Sequence, residues 1–191
     1  MEFLSAWAPL ADGTDTPVCK CKAFKLYDLA TQALHRAPGA FVECGVYRGA
    51  TASIIAAAID QQRELHLYDT FAGIAGAQAV DEGHQDGDFG DVDLDAVKAR
   101  VPSAVIHQGA IPTTFDDIGP VAFAHIDVDV FQPHLDAIDF LWPRMSPGGI
   151  MVFDDYAQPS CRGARMAVDF RFLFKHDIHE TVQGQAFVVK P

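Results

Sequence analysis

The stretch VAFAHIDVDVFQPHLDAIDFLWPRMSPGGIMVFDDY, residues 121–156, decides how the rest of the chain is read. It opens on an apolar run, 121–130, that ends with Asp127 and Asp129. The segment PHLDAIDFLWPRM follows as a helix stopped by SPGG, and a second apolar run, 148–156, ends with Asp154 and Asp155. Neither run alternates polar with apolar residues, as a strand with one face in water would. Strands of this kind are buried on both faces, which points to a largely parallel sheet with helices on each side.

The same alternation extends upstream. AFVECGV at 40–46 is a strand, and YRGATASIIAAAI is a helix opening near Gly49 to Ser53. ELHLYDTF at 64–71 is a second strand with Asp69 at its carboxyl end, 94–101 a helix and 103–109 a third strand. A helix at 24–34, stopped by the Ala-Pro-Gly at 37–39, precedes them. Downstream, GARMAVDFRFLFKH reads as a helix with Trp142 and the phenylalanines of 170–174 in the core, and HETVQGQAFVVKP as a hairpin adding antiparallel edge strands. The polar, Gly- and Asp-rich segment 73–93 is too long for an ordinary connection and reads as a functional loop or cover. Residues 1–22 lack periodicity and are expected to form an irregular arm or lid on a single domain spanning 23–191.

Composition narrows the function. With 26 acidic and 14 basic residues among 191, the net charge is −12 and the few basic residues are scattered, which excludes a phosphate-binding nucleic-acid surface. Hydrophobic residues make up 49% and charged residues 21%, enough for a real core. No apolar run is long enough to cross a membrane, and the start lacks the basic region of a secretory signal, so the expectation is an unexported, cytoplasmic protein with no membrane partner and reduced thiols. Cys19 and Cys21 read as part of a mobile turn, with a local thiol pair or metal site as the alternative.

In an open parallel sheet, ligands bind beyond the carboxyl ends of the strands. The first end offers Glu43, Gly45 and Gly49, glycines that allow close backbone approach and a helix start with free N–H groups. Tyr47 and Arg48 follow the turn and are placed to meet a ligand carboxylate, although Arg48 could equally pair with surface acids. The second end offers Asp69, where nucleotide-binding α/β folds hold ribose hydroxyls. The fourth and fifth bring Asp127, Asp129, Asp154 and Asp155 together. Four converging carboxylates call for a hard divalent ion or for protonation, and Asp127, Asp154 and Asp155 are the expected ligands, with helix capping as the alternative. His84, Asp86 and Asp88 read as part of a solvated loop rather than as a metal site.

Together ECGVYRG, YDTFAGI, GDFGDVDLDAV, the stretch 125–156 and CRGARMAVDFR resemble the macrocin O-methyltransferase family, over about residues 38–175 and with similar order and spacing. These are S-adenosylmethionine- and Mg2+-dependent enzymes that methylate sugar hydroxyls in macrolide and aminocoumarin antibiotics. The resemblance implies a Rossmann-like class I methyltransferase fold. It also implies a methyl donor lying over Glu43, Gly45, Tyr47 and Gly49, held at the ribose by Asp69 with Thr70, and near His107, Gln108 and Gly109 at the adenine, with Asp88 and Phe89 close by. It implies Mg2+ on Asp127, Asp154 and Asp155, an acceptor that is a sugar or other polyhydroxylated small molecule, and Asp129 as general base. Where the family commonly carries acid, aliphatic, Tyr, Glu, Ser and Thr, this chain has Asp129, Val130, Phe131, Gln132, Pro133 and His134. That change bears on the acceptor, and it makes His134 a second candidate base, with a capping or surface role as its alternative. The chain is shorter at its N-terminus than the antibiotic enzymes, so a reduced lid, or one supplied by a second subunit of a homo-oligomer, is expected.

Four other readings compete. A haloacid-dehalogenase-type phosphotransferase would explain the Asp-x-Asp, but it needs a lysine between the two acidic motifs and residues 130–153 have none. A metal-dependent glycosyltransferase leaves ECGVYRG unexplained, and a dinucleotide-dependent dehydrogenase lacks its G-x-G-x-x-G turn. A methyltransferase-like protein that binds ligand without turnover is the non-enzymatic alternative.

Overall fold

The computed structural model describes residues 2–11 and 18–191. The expected arm covers residues 12–17, which lie outside the described residues. Seven strands form one sheet: β1 Ala40–Cys44, β2 Leu65–Asp69, β3 Val105–Gln108, β4 Val121–Ile126, β5 Met145–Phe153, β6 His179–Glu180 and β7 Ala186–Val189. Their order is β3-β2-β1-β4-β5-β7-β6. The first five pair parallel, and β7 runs antiparallel to β5 and to β6, as the hairpin reading of the tail anticipates. The helices are α1 Glu2–Trp7, α2 Lys20–Arg36, α3 Ala50–Ile59, α4 Leu94–Arg100, α5 Phe131–Leu141 and α6 Arg162–Phe172.

Alternate residues of the central strands serve opposite cores, which is why those strands read as unbroken apolar runs. Phe41 and Phe123 pack with α2 and α3 residues such as Leu29 and Ile55 on one face. Val42, Ala124 and Phe153 pack with Ile138, Val168 and Phe172 of α5 and α6 on the other. Within 170–174 only part of the expected core is core: Phe172 is buried, whereas Phe170 and Phe174 are 64% and 97% exposed, because α6 presents one face to the sheet and ends at Phe172.

The N-terminal segment differs from the irregular arm expected. Helix α1 sets Phe3, with Leu10 beyond it, against Ala23, Ala50 and Ile54. Helix α2 begins at Lys20, so the expected boundary at 22 falls inside a helix. Cys19, rather than lying in a mobile turn, is its N-cap, with Sγ accepting from Lys22 N at 3.4 Å. Among the described residues no helix is long and apolar enough to cross a membrane.

Strand register positions the site. Cys44 lies opposite Tyr68 on one side and Ile126 on the other, and Ile126 lies opposite Phe153. The residues that follow, Gly45, Asp69, Asp127 and Asp154, therefore emerge side by side at the carboxyl edge. The chain order reverses between β1 and β4, and the crevice of an open α/β sheet opens at such a reversal.

Candidate active site

A cavity of about 350 Å³ occupies that crevice, in the range of small-molecule sites. At one end lie the turn Gly45–Arg48, the start of α3 at Ala50 and Thr51, Asp69, Thr70, Phe89 and Gly109–Ile111. At the other lie Lys22, Asp127, Asp129, Asp154, Asp155 and Cys161.

The first end is held by Asp69. Its Oδ2 accepts from Val46 N at 2.6 Å and Tyr47 N at 2.9 Å, and its Oδ1 accepts from Phe71 N at 2.6 Å. One carboxylate thus ties both loops at this edge, with hydrogen bonds of the stronger, charge-assisted kind. Tyr47 adopts φ +48°, and its hydroxyl donates to Asp91, which also pairs with Arg48. Thr70 donates to Gly73 O at 2.6 Å.

Gly45 lines the cavity, but its lack of a side chain answers to packing: at φ +84° a Cβ would stand 1.8 Å from Asp127 O. Gly49, expected at the donor, does not line the cavity; it caps α3 at φ +78°, and a Cβ there would face Val97 of α4. Gln108 is exposed and also outside the lining, so of the expected adenine contacts only Gly109 reaches it. Asp88 stands behind the wall, accepting from Gln85 N at 3.0 Å.

Glu43 needs a different role from the one the glycine-turn motif implies. It is fully buried, outside the cavity lining, and accepts from His125 Nδ1 at 2.8 Å. The other ring nitrogen of His125 lies 3.6 Å from Asp154 Oδ1. Burial opposes a charge on this ring, but the two carboxylates outweigh it and raise His125 to about 9. Asp154 also accepts from Lys22 Nζ at 2.5 Å and from Gln185 Nε2 at 2.9 Å. Against the burial that disfavours its charge, His125 and Lys22 hold its carboxyl well below the usual range.

Asp154, an expected metal ligand, therefore already has cationic partners. The oxygens that approach one another within 4.8 Å as an all-carboxylate group belong to Asp127, Asp129 and Asp155, while Asp154 groups with His125 and Asp127. Burial and Asp154 push both Asp127 and Asp155 up, and burial with Asp155 pushes Asp129 up to about 8. Asp155 Oδ2 is buried with no hydrogen-bond partner among the described residues. Asp129 takes φ +58°, a left-handed turn that returns its side chain to the cluster.

His134, the second candidate base, is fully buried and outside the cavity lining. Its Nδ1 meets Val130 O at 3.0 Å, and burial lowers the ring to about 4, so it serves as a neutral core histidine under the first turn of α5. The segment 73–93 folds down as a cover. Buried Asp81 accepts from Phe131 N at 2.9 Å, and His84, expected in a solvated loop, has Nε2 3.4 Å from Cys161 Sγ.

The family model for macrocin O-methyltransferase (TylF) matches residues 23–184. The chain belongs to the macrocin O-methyltransferase family. It is 30% identical over 158 residues to the 8-demethyl-8-(2,3-dimethoxy-alpha-L-rhamnosyl)-tetracenomycin-C 4'-O-methyltransferase of Streptomyces olivaceus, a match covering 72% of this chain and 60% of that one. The chain thus spans about three fifths of the length of this curated relative. The family fold is matched by the O-methyltransferase NovP with a TM-score of 0.76 at 20% identity, covering 88% of this chain and 79% of that one. An O-methyltransferase from Bacillus cereus in complex with SAH matches with a TM-score of 0.65 at 13% identity, covering 99% and 90%.

Two site features escaped sequence reasoning. Lys22 precedes the matched family segment and sits 132 residues from Asp154, with nothing local to mark it. Cys161 and its partner His84 lie 77 residues apart, so no local spacing marks the pair.

Proposed function

We propose that this member of the macrocin O-methyltransferase family transfers a methyl group from S-adenosylmethionine to a hydroxyl of a sugar or similar polyhydroxylated molecule, assisted by a Mg2+-class ion. The observation that carries this reading is the continuity of one cavity from the glycine turn to the carboxylates, which leaves donor and acceptor side by side. Positioning of this kind is the main resource of a methyl transfer, whose reacting atoms must meet in line.

At the donor end, the backbone N–H groups at the start of α3 suit a carboxylate, and the turn braced by Asp69 keeps them in place before any ligand arrives. Tyr47 and Phe89, with rings 5.5 Å apart, wall this end. At the acidic end the residues present fit a hard divalent ion: Asp127 and Asp155 offer oxygens alone, and Asp155 Oδ2, with no hydrogen-bond partner among the described residues, lacks the cation or donor it needs. Such an ion supplies positive charge that acidifies a bound hydroxyl. Asp154, paired with Lys22 and His125, acts from behind by holding the cluster's geometry. Asp129, which lines the cavity beside this cluster, is the group placed to take the hydroxyl proton.

The test is incubation with methyl-labelled S-adenosylmethionine and a panel of glycosides carrying neighbouring hydroxyls. Label should enter an acceptor, stop on chelation and return with Mg2+. Binding of S-adenosylhomocysteine without transfer to any hydroxylated acceptor would favour a ligand-binding protein instead.

A further inference from the structure

Three side chains of different chemistry meet where the cover closes on the sheet. His84 Nε2 lies 3.4 Å from Cys161 Sγ and 3.9 Å from Asp129 Oδ1, and Cys161 Sγ lies 3.7 Å from that same oxygen. They come from three separate places: the 73–93 cover, the residue before α6, and the turn after β4. All three line the cavity.

Ordinary zinc bond lengths, about 2.3 Å to sulfur and 2.0–2.2 Å to nitrogen or oxygen, put the ligand atoms of a tetrahedral site about 3.3–3.6 Å apart. The separations here match within a few tenths of an ångström. On its other side His84 Nδ1 faces a carboxylate, Asp88 Oδ2, at 3.8 Å. The segment bearing His84 is fixed by Asp81, whose two oxygens accept from Phe131 N and Gln78 N, both at 2.9 Å. Gly83 sits so close to Ser160 O that a Cβ would be 2.5 Å away.

We propose that His84, Cys161 and Asp129 form a second metal site, for a soft divalent ion of the zinc class, with its fourth position open to the cavity and filled by water. Nitrogen and sulfur donors select such an ion over Mg2+, which prefers oxygen alone. Asp129 cannot take up a proton while it ligates this ion, so occupancy of the site would block the transfer proposed above. The inference stands whether or not the cavity transfers methyl groups.

The test uses reduced, chelator-treated full-length protein in excess Mg2+, titrated with Co2+ as a coloured substitute for zinc. One equivalent should produce a near-ultraviolet sulfur-to-cobalt charge-transfer band and the intense visible bands of four-coordinate cobalt. Cys161→Ser should abolish the charge-transfer band. His84→Gln, placed on the cover away from the core, should weaken Co2+ binding at least ~10-fold. No charge-transfer band in the wild type would overturn the proposal, as would unchanged affinity in His84→Gln. Persistence of the band in Cys161→Ser would also overturn it and place the thiolate at Cys19 and Cys21.

Discussion

The two ends of the cavity use carboxylates in opposite ways. Asp69 at the donor end has three backbone N–H donors and stitches two loops together, so its charge is spent on folding. At the acidic end only Asp154 is satisfied in this manner, by Lys22, Gln185 and His125. Asp127, Asp129 and Asp155 crowd together, resist ionisation and leave one buried oxygen, Asp155 Oδ2, without a partner among the described residues. Neutralising an acid should therefore weaken the fold at one end and relax it at the other, while chemistry depends most on the strained end. Functional sites commonly depart from local rules in this manner.

The largest expected effect falls on turnover. Asp129→Asn should lower methyl transfer about 10²–10⁴-fold, the usual contribution of one positioned base, and leave S-adenosylhomocysteine affinity unchanged in calorimetry. Equal loss of binding would erase the division of labour between the ends.

Asp69→Ala should cost about 3 kcal/mol of stability in denaturant unfolding and weaken the donor's binding, because hydrogen bonds to a charged group are worth about 1.5–3 kcal/mol each and are not additive. A stable variant with normal affinity would show that the turn does not need this brace.

His134 provides a pH test beneath the acidic end. Its ring is held to about 4 against an ordinary value near 6.5, so between these pH values the unfolded chain binds a proton that the folded protein refuses. Stability from this residue is complete above about pH 6.5, and roughly 3 kcal/mol is lost as pH falls toward 4. His134→Asn should flatten that part of the stability profile relative to wild type. An unchanged slope would show that the ring protonates in the fold.

The smallest effect has the opposite sign. Asp155→Asn should stabilise the metal-free protein by about 1 kcal/mol, since it removes a buried charge that Asp154 repels and whose Oδ2 has no hydrogen-bond partner among the described residues. Destabilisation would mean that Asp155 is satisfied much as Asp69 is.

The sheet, its parallel strands and its antiparallel tail were legible because apolar runs and helix stops are local signals, and strand-end acids follow from them. The same signals misread Glu43, Gly49 and His134. Each stands in the right motif or at the right spacing, but the side chains of Glu43 and His134 are buried in protein and Gly49 faces α4 rather than the crevice. Lys22 and the His84–Cys161 contact were hidden because they depend on how a terminal helix and a long cover fold back. No periodicity encodes that return, which rests on single anchors such as Cys19 capping α2 and Asp81 capping α5.

The most direct measurement is calorimetric titration of chelator-treated protein with S-adenosylhomocysteine, with and without Mg2+, in wild type and Asp155→Asn. Micromolar binding is expected in both proteins, with a separate Mg2+ heat in wild type that disappears in the variant. Absence of S-adenosylhomocysteine binding, or a Mg2+ heat that survives in Asp155→Asn, would contradict this expectation.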